Sequence, residues 1–160
     1  MKATFVCVAL VGMAVFAGLS VCAKSDRFIK SFERSAQAAV GSTNPVLTIS
    51  SVTEFQWDKL FIFGPYTPEK KIHEQLGYNW AEAEKTHIDS SDTFHLLVFV
   101  NNGKVVRYFK LPRTIGDFQG IETYNVFTPG NDEFEVKSVS AGTTIRFNFF
   151  AKQRKDAGLK

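Results

Sequence analysis

The chain has 160 residues, of which 44% are hydrophobic and 16 are Phe, ample apolar material for one self-sufficient core. Its 19 basic and 16 acidic residues leave a formal charge of +3, a near-balance that supplies no basic face for phosphate and argues against nucleic acid as a partner. Both cysteines, Cys7 and Cys22, fall near the start, so a domain that begins after them has neither a disulfide nor a thiolate ligand.

Residues 1–23 have the layout of a secretory signal: Lys2 as the positive charge, an apolar run from Phe5 to Leu19, and small residues at Val21-Cys22-Ala23. Three outcomes are open. Val21 and Ala23 suit ordinary cleavage, which leaves Lys24 as the new N-terminus. Leu19-Ser20-Val21-Cys22 is close to a bacterial lipobox, which lipidates Cys22 and tethers the protein to a membrane, although Val21 is branched where a small residue is usual. An uncleaved anchor is the third, weakened by the shortness of the run and by Gly12 and Gly18. The expected organisation is a signal at 1–23, one α+β domain at 24–151 and a basic, solvated tail at 152–160. Export places the protein in the periplasm or at the envelope.

Ser25 to Val40 reads as an amphipathic helix, with Phe28, Ile29, Phe32, Ala36, Ala39 and Val40 on one stripe and Gly41 as its stop. Two Phe on that stripe favour docking on the domain over a free stalk. Val46–Val52 and Phe55–Phe63 read as strands. In the second, alternation puts Phe55, Trp57, Lys59, Phe61 and Phe63 on one face. Gly64-Pro65 stops it. A short helix follows over Pro68–Leu76, with Thr67 as its cap, Pro68 in its first position and Gly77 at its left-handed end.

Trp80–Asp92 is polar and ambiguous. Phe94–Val100 and Lys104–Phe109, joined by Asn102-Gly103, predict a hairpin with a type I′ turn. The first of these strands is apolar on both faces and is expected to be central and covered. Leu111–Pro129 is irregular. Two strands close the domain, near Phe134–Ser138 and Thr143–Lys152, the latter with Ile145, Phe147 and Phe149 on one face. The expected fold is α+β: an antiparallel sheet of about five or six strands, with the N-terminal helix and the short second helix packed on one side.

No zinc spacing joins His73, His87 and His95, and no nucleophile elbow or phosphate-binding glycine loop is present. Glu82, Glu84, Asp89 and Asp92 cluster in a polar stretch, which gives a paired-carboxylate hydrolase no motif to rest on. No cofactor is implied. Two stretches stand out as binding candidates. One is Trp57-Asp58-Lys59 with Tyr66, because Trp and Tyr anchor partners; the competing reading is a core Trp57 beside a solvated edge. The other is Arg113 and Asp117 in a Gly/Pro-punctuated loop, either as binding residues or as a polar network with Asp58 and Lys59.

The run Phe55-Gln56-Trp57-Asp58-Lys59-Leu60-Phe61-Ile62-Phe63-Gly64-Pro65-Tyr66-Thr67, followed by Leu76-Gly77, the apolar hairpin and Leu111-Pro112-Arg113, resembles the pattern of a loose group of small, uncharacterised bacterial envelope proteins, many of them lipoproteins. The resemblance covers roughly Val52 to Phe118 and brings no activity with it. It raises the lipidation reading at Cys22, from whose usual pattern Val21 departs, and leaves simple cleavage open. Together these readings point to an exported, non-enzymatic protein-binding module such as a periplasmic immunity or inhibitor protein. The alternative is a module for a lipid or cell-wall fragment, with an aromatic-lined pocket. A hydrolase of unrecognised type is a third, and it expects convergent carboxylates or a perturbed histidine in a cleft.

Overall fold

The computed structural model describes residues 16–121, 126–141 and 144–152, with side chains from Ser25 onward except at Ala141. Most of the signal, the side chain of Cys22, the turn at Gly142 and the tail beyond Lys152 lie outside the described residues. The first element is helix α1 (Phe16–Val40), and its stripe docks as expected: Phe28, Phe32, Ala36 and Ala39 are buried. Among the described residues no helix is long and apolar enough to cross a membrane.

Strand β1 (Val46–Thr48) is shorter than its apolar run, because the chain turns into a 3-10 helix at Ile49–Val52. Hydroxyls drive that turn. Ser51 Oγ donates to the Thr48 carbonyl at 2.7 Å and Thr53 Oγ1 to the Ser50 carbonyl at 3.2 Å, which offers the backbone an alternative to a ladder. Asp132 clamps it from 82 positions away: its carboxylate accepts from the Ser50 N–H, and its carbonyl from the Ile49 N–H at 3.0 Å. The second carboxylate oxygen accepts from the Gly130 N–H at 3.0 Å, and the residue is fully buried. Asp132→Ala therefore strands two backbone donors and is expected to cost about 2 kcal/mol, read from the denaturant midpoint at unchanged slope.

Strand β2 (Lys59–Phe63) begins four residues later than the alternation at Phe55 suggests. Residues 55–58 do not follow its pleat. Trp57 therefore packs edge-on to Phe99, with Leu60 and Ile62, and not on the side of Phe61 and Phe63. Helix α2 (Glu69–Leu76) has Pro68 at its cap position, with no side-chain cap. Thr67 instead donates to the Gly64 carbonyl at 2.7 Å. Gly77 takes the left-handed conformation at φ 79°, as its place after Leu76 requires. The ambiguous segment holds a one-turn helix, α3 (Ala83–Thr86), and a 3-10 turn at Ile88–Ser90.

Strands β3 (Phe94–Asn101) and β4 (Lys104–Pro112) form the expected hairpin, with Asn102 and Gly103 both at positive φ. The stretch read as irregular contains two short strands, β5 (Gly116–Gln119) and β6 (Val126–Phe127). Strands β7 (Glu133–Ala141) and β8 (Thr144–Ala151) pair antiparallel.

The α+β class holds, and the strands are shared between two four-stranded sheets, ordered β4-β3-β2-β6 and β1-β7-β8-β5. One pair, β5 with β8, is parallel. The inner faces of both sheets meet in one core, which α1 enters from the side: Phe28 touches Phe99 and Phe109 of the first sheet, and Phe32 touches Phe118 and Phe149 of the second. The other face of the first sheet carries Phe61, Phe63, Leu96 and Val98. It is covered by Ile72 of α2 together with Trp80 and Ile88. The two helices thus lie on opposite faces of that sheet. The reason is β3, buried at every position from Phe94 to Val100, which needs a cover on each side.

Candidate functional site

Strand direction decides which candidates can meet. Lys59 pairs with Val100 and Phe63 with Leu96, so Trp57, Asp58 and Lys59 lie at the β3–β4 turn, while Tyr66 lies at the opposite end. The five residues of β2 hold the two groups about 13 Å apart.

At the turn end the residues brace the fold. Trp57 is only 7% exposed and donates its indole N–H to Thr53 Oγ1 at 3.0 Å. The structure thus withdraws it from the surface. Asp58 donates its N–H to the Val100 carbonyl at 2.8 Å and accepts from the Asn102 N–H at 2.7 Å, which pins the hairpin turn. Lys59 is exposed at the start of β2.

At the other end a polar network forms without Asp58 or Lys59. Pro112 pairs with Phe94, which brings Arg113 beside residues 91–93: its N–H donates to the Thr93 carbonyl at 2.9 Å and its Nη1 to the Asp92 carbonyl at 3.0 Å. The short Thr114–Ile115 turn then returns Asp117 to the guanidinium. Arg113 Nε bonds Asp117 Oδ1 and Nη2 bonds Oδ2 at 3.2 Å, a two-point grip that fixes the planar fork. His95 completes the network. Its Nε2 lies 3.0 Å from Asp117 Oδ1, and since a carboxylate only accepts, Nε2 carries the proton. The ring is 8% exposed and edge-on to Phe118 at 5.4 Å.

Tyr66 stands beside this network. Its side chain is 60% exposed, and its backbone is left-handed at φ 59°, a conformation that strains any residue with a Cβ. A bond from its N–H to the Ser91 carbonyl at 3.2 Å holds it there. Segment 91–93 thus anchors both Tyr66 and Arg113 through backbone bonds.

Charge follows this geometry. Burial pushes the His95 imidazole below its ordinary 6.5, and the Asp117 bond only partly offsets that. Burial acts upward on the Asp117 carboxyl, but the bonds from Arg113 and His95 outweigh it and hold the carboxyl below 3.8. Both shifts act in the same direction on stability. An unfolded chain binds a proton at His95 more readily than the folded one, so stability falls as pH drops below 6.5. The Asp117 contribution is present above 3.8 and lost as pH falls through its folded value. The thermal midpoint, measured against pH, is expected to decline in two steps on acidification. His95→Gln should abolish the first step and keep the second.

His95 was not among the sequence candidates, though a lone polar residue in an otherwise apolar strand needs a partner somewhere in the fold. Of the other histidines, His73 bonds the Trp80 carbonyl at 3.2 Å and His87 caps α3 in a left-handed turn. Of the clustered carboxylates, Glu82 pairs with Lys85 at 2.9 Å on the surface. Among the described residues no group of three or more His, Cys, Asp or Glu is placed to hold a metal ion. No family model matches the chain, and neither does any curated protein or solved structure.

Proposed function

We propose that the protein is an exported, non-enzymatic envelope module that binds another protein through the face formed by Tyr66, Arg113 and Asp117, as a periplasmic immunity or inhibitor protein would. The observation that carries this is Tyr66: a large aromatic side chain kept out in solvent on a strained backbone, next to an arginine locked in place by a carboxylate. Tyr and Arg dominate the energetic centres of protein interfaces, and immobilised side chains lose little entropy on binding. Strain maintained at an exposed residue points to a use for that residue. Asp117 already accepts from Arg113 on both oxygens and from His95 on one, an arrangement that neutralises the carboxylate and fixes the guanidinium in orientation. Trp57 and Asp58, in their structural places, are left out of the face.

The N-terminal segment fits export. If Cys22 is lipidated, it precedes the first docked side chain, Phe28, by only about 9 Å of helix, which holds the domain at the membrane surface.

The test is to express the full chain in a bacterial host, purify it gently from the envelope, and record intact mass and co-purifying species together. A stoichiometric protein partner is expected, with a mass that begins at Lys24 or carries a lipid on Cys22. Tyr66→Gly removes the aromatic and relieves the left-handed backbone. It should lose the partner while the thermal midpoint stays or rises. A partner retained by Tyr66→Gly, or none for the parent chain, would sink the reading.

A further inference from the structure

A cavity of 140 Å³ lies away from the Tyr66 face, where α1 meets the 3-10 turn and β4. Its apolar wall is built from Phe28, Phe55 and Phe109. Phe28 and Phe109 stack at 4.0 Å, and Phe55 tilts over Phe109 at 6.0 Å. The rim is charged, and its charges do not cancel. Arg27 pairs with Glu54 at 3.3 Å. Arg107, on the same face of β4 as Phe109, lies 6.0 Å from the Phe55 ring and donates one N–H to the neighbouring Val106 carbonyl. Among the described residues it has no carboxylate partner, which leaves the rim one positive charge in excess.

Size and charge together select a ligand class. An engineered cavity of about 150 Å³ admits benzene, so this one seats a single ring or a short branched chain and not a whole lipid or cell-wall fragment. One unpaired guanidinium offers a two-point grip to a carboxylate. A dianion such as phosphate would leave charge uncompensated beside Glu54, whose own charge is answered by Arg27. We infer that this cavity binds a small monocarboxylate whose body is one ring or a short apolar chain, with Arg107 on the carboxylate and the three Phe rings around the body. The inference is independent of the Tyr66 face.

Phenylacetate is the probe, with benzyl alcohol as a neutral molecule of similar size. Each is titrated into the chain purified from the envelope, followed by calorimetry and by NMR of the aromatic side chains. Phenylacetate should shift the Phe28, Phe55 and Phe109 ring signals. Its affinity should fall about tenfold in Arg107→Gln, in line with one charge-assisted contact, and should weaken with added salt. Benzyl alcohol should bind parent and Arg107→Gln alike. Ser31→Leu, which places a larger side chain from α1 into the cavity, should block both molecules. The inference fails if millimolar phenylacetate leaves the ring signals unmoved, if Arg107→Gln binds it as well as the parent does, or if a folded Ser31→Leu chain still binds it. Should Ser31→Leu not fold, the Arg107→Gln comparison decides alone.

Discussion

Phe149→Ala is expected to lower stability by about 4 kcal/mol, read as a fall in the denaturant midpoint at unchanged slope. Phe149 is fully buried on β8 and meets Phe32 of α1 at 5.1 Å, Phe118 of β5 at 5.1 Å and Phe147 of its own strand at 6.3 Å. Three elements lose a shared contact when the ring is deleted, and a core held by interlocking rings relaxes poorly into the void. The next residue supplies the control. Phe150 points to the outer face, where it is only half-buried under Lys137 Nζ at 4.9 Å. Phe150→Ala should cost under about 1 kcal/mol. Equal losses at the two positions would mean that β8 is not in the register described, since a slip of one residue exchanges the faces.

Gly116→Ala is the second large effect, expected at about 3 kcal/mol by the same measurement. The reason is steric and lies in the parallel pairing of β5 with β8. A Cβ at position 116 would stand 2.3 Å from the Phe147 carbonyl oxygen and 2.6 Å from a ring carbon of Phe149. The oxygen belongs to the backbone of a paired strand, so it can move only by opening the ladder. Other glycines behave differently: Gly64 has open space around it, and alanine there should be nearly neutral. A tolerated Gly116→Ala would show that β5 does not approach β8 closely.

What was legible in the sequence was whatever rests on local periodicity. The helical stripe from Phe28 to Val40, the Asn102-Gly103 turn and the alternation of Phe147 and Phe149 each state their structure within a few residues. Ile145 obeyed the alternation yet is 55% exposed, because β8 runs past the core at that end. What stayed hidden depends on contacts distant in sequence. The run to Val52 has strand composition, but the Ser51 and Thr53 hydroxyls turn it and Asp132 clamps the turn, and nothing near Ile49 announces Asp132. The short β5 and β6 are too brief for a period to show, and β5 exists through β8. The single expected sheet became two for a related reason: alternation tells which residues share a face and not which sheet a strand joins. At the candidate site, Arg113 and Asp117 could be chosen from their loop. Their grip on each other and on His95 requires the pairing of Phe94 with Pro112. Strand direction alone separated Trp57 and Asp58 from Tyr66.

The position of β4 at the rim of its sheet has a consequence for life at high concentration. A nine-residue strand with an open row of amides and carbonyls is a template on which a second molecule can continue the sheet. Here that row is guarded. Tyr78 takes up the Val105 N–H at 3.0 Å, and Lys104, Arg107 and Lys110 space positive charge along the strand. Two copies approaching rim to rim would bring like charges together, which opposes strand-by-strand growth into fibres at this edge. Arg107 is one of those guards, and a chain that loses it gives up colloidal protection along with its grip on an anion.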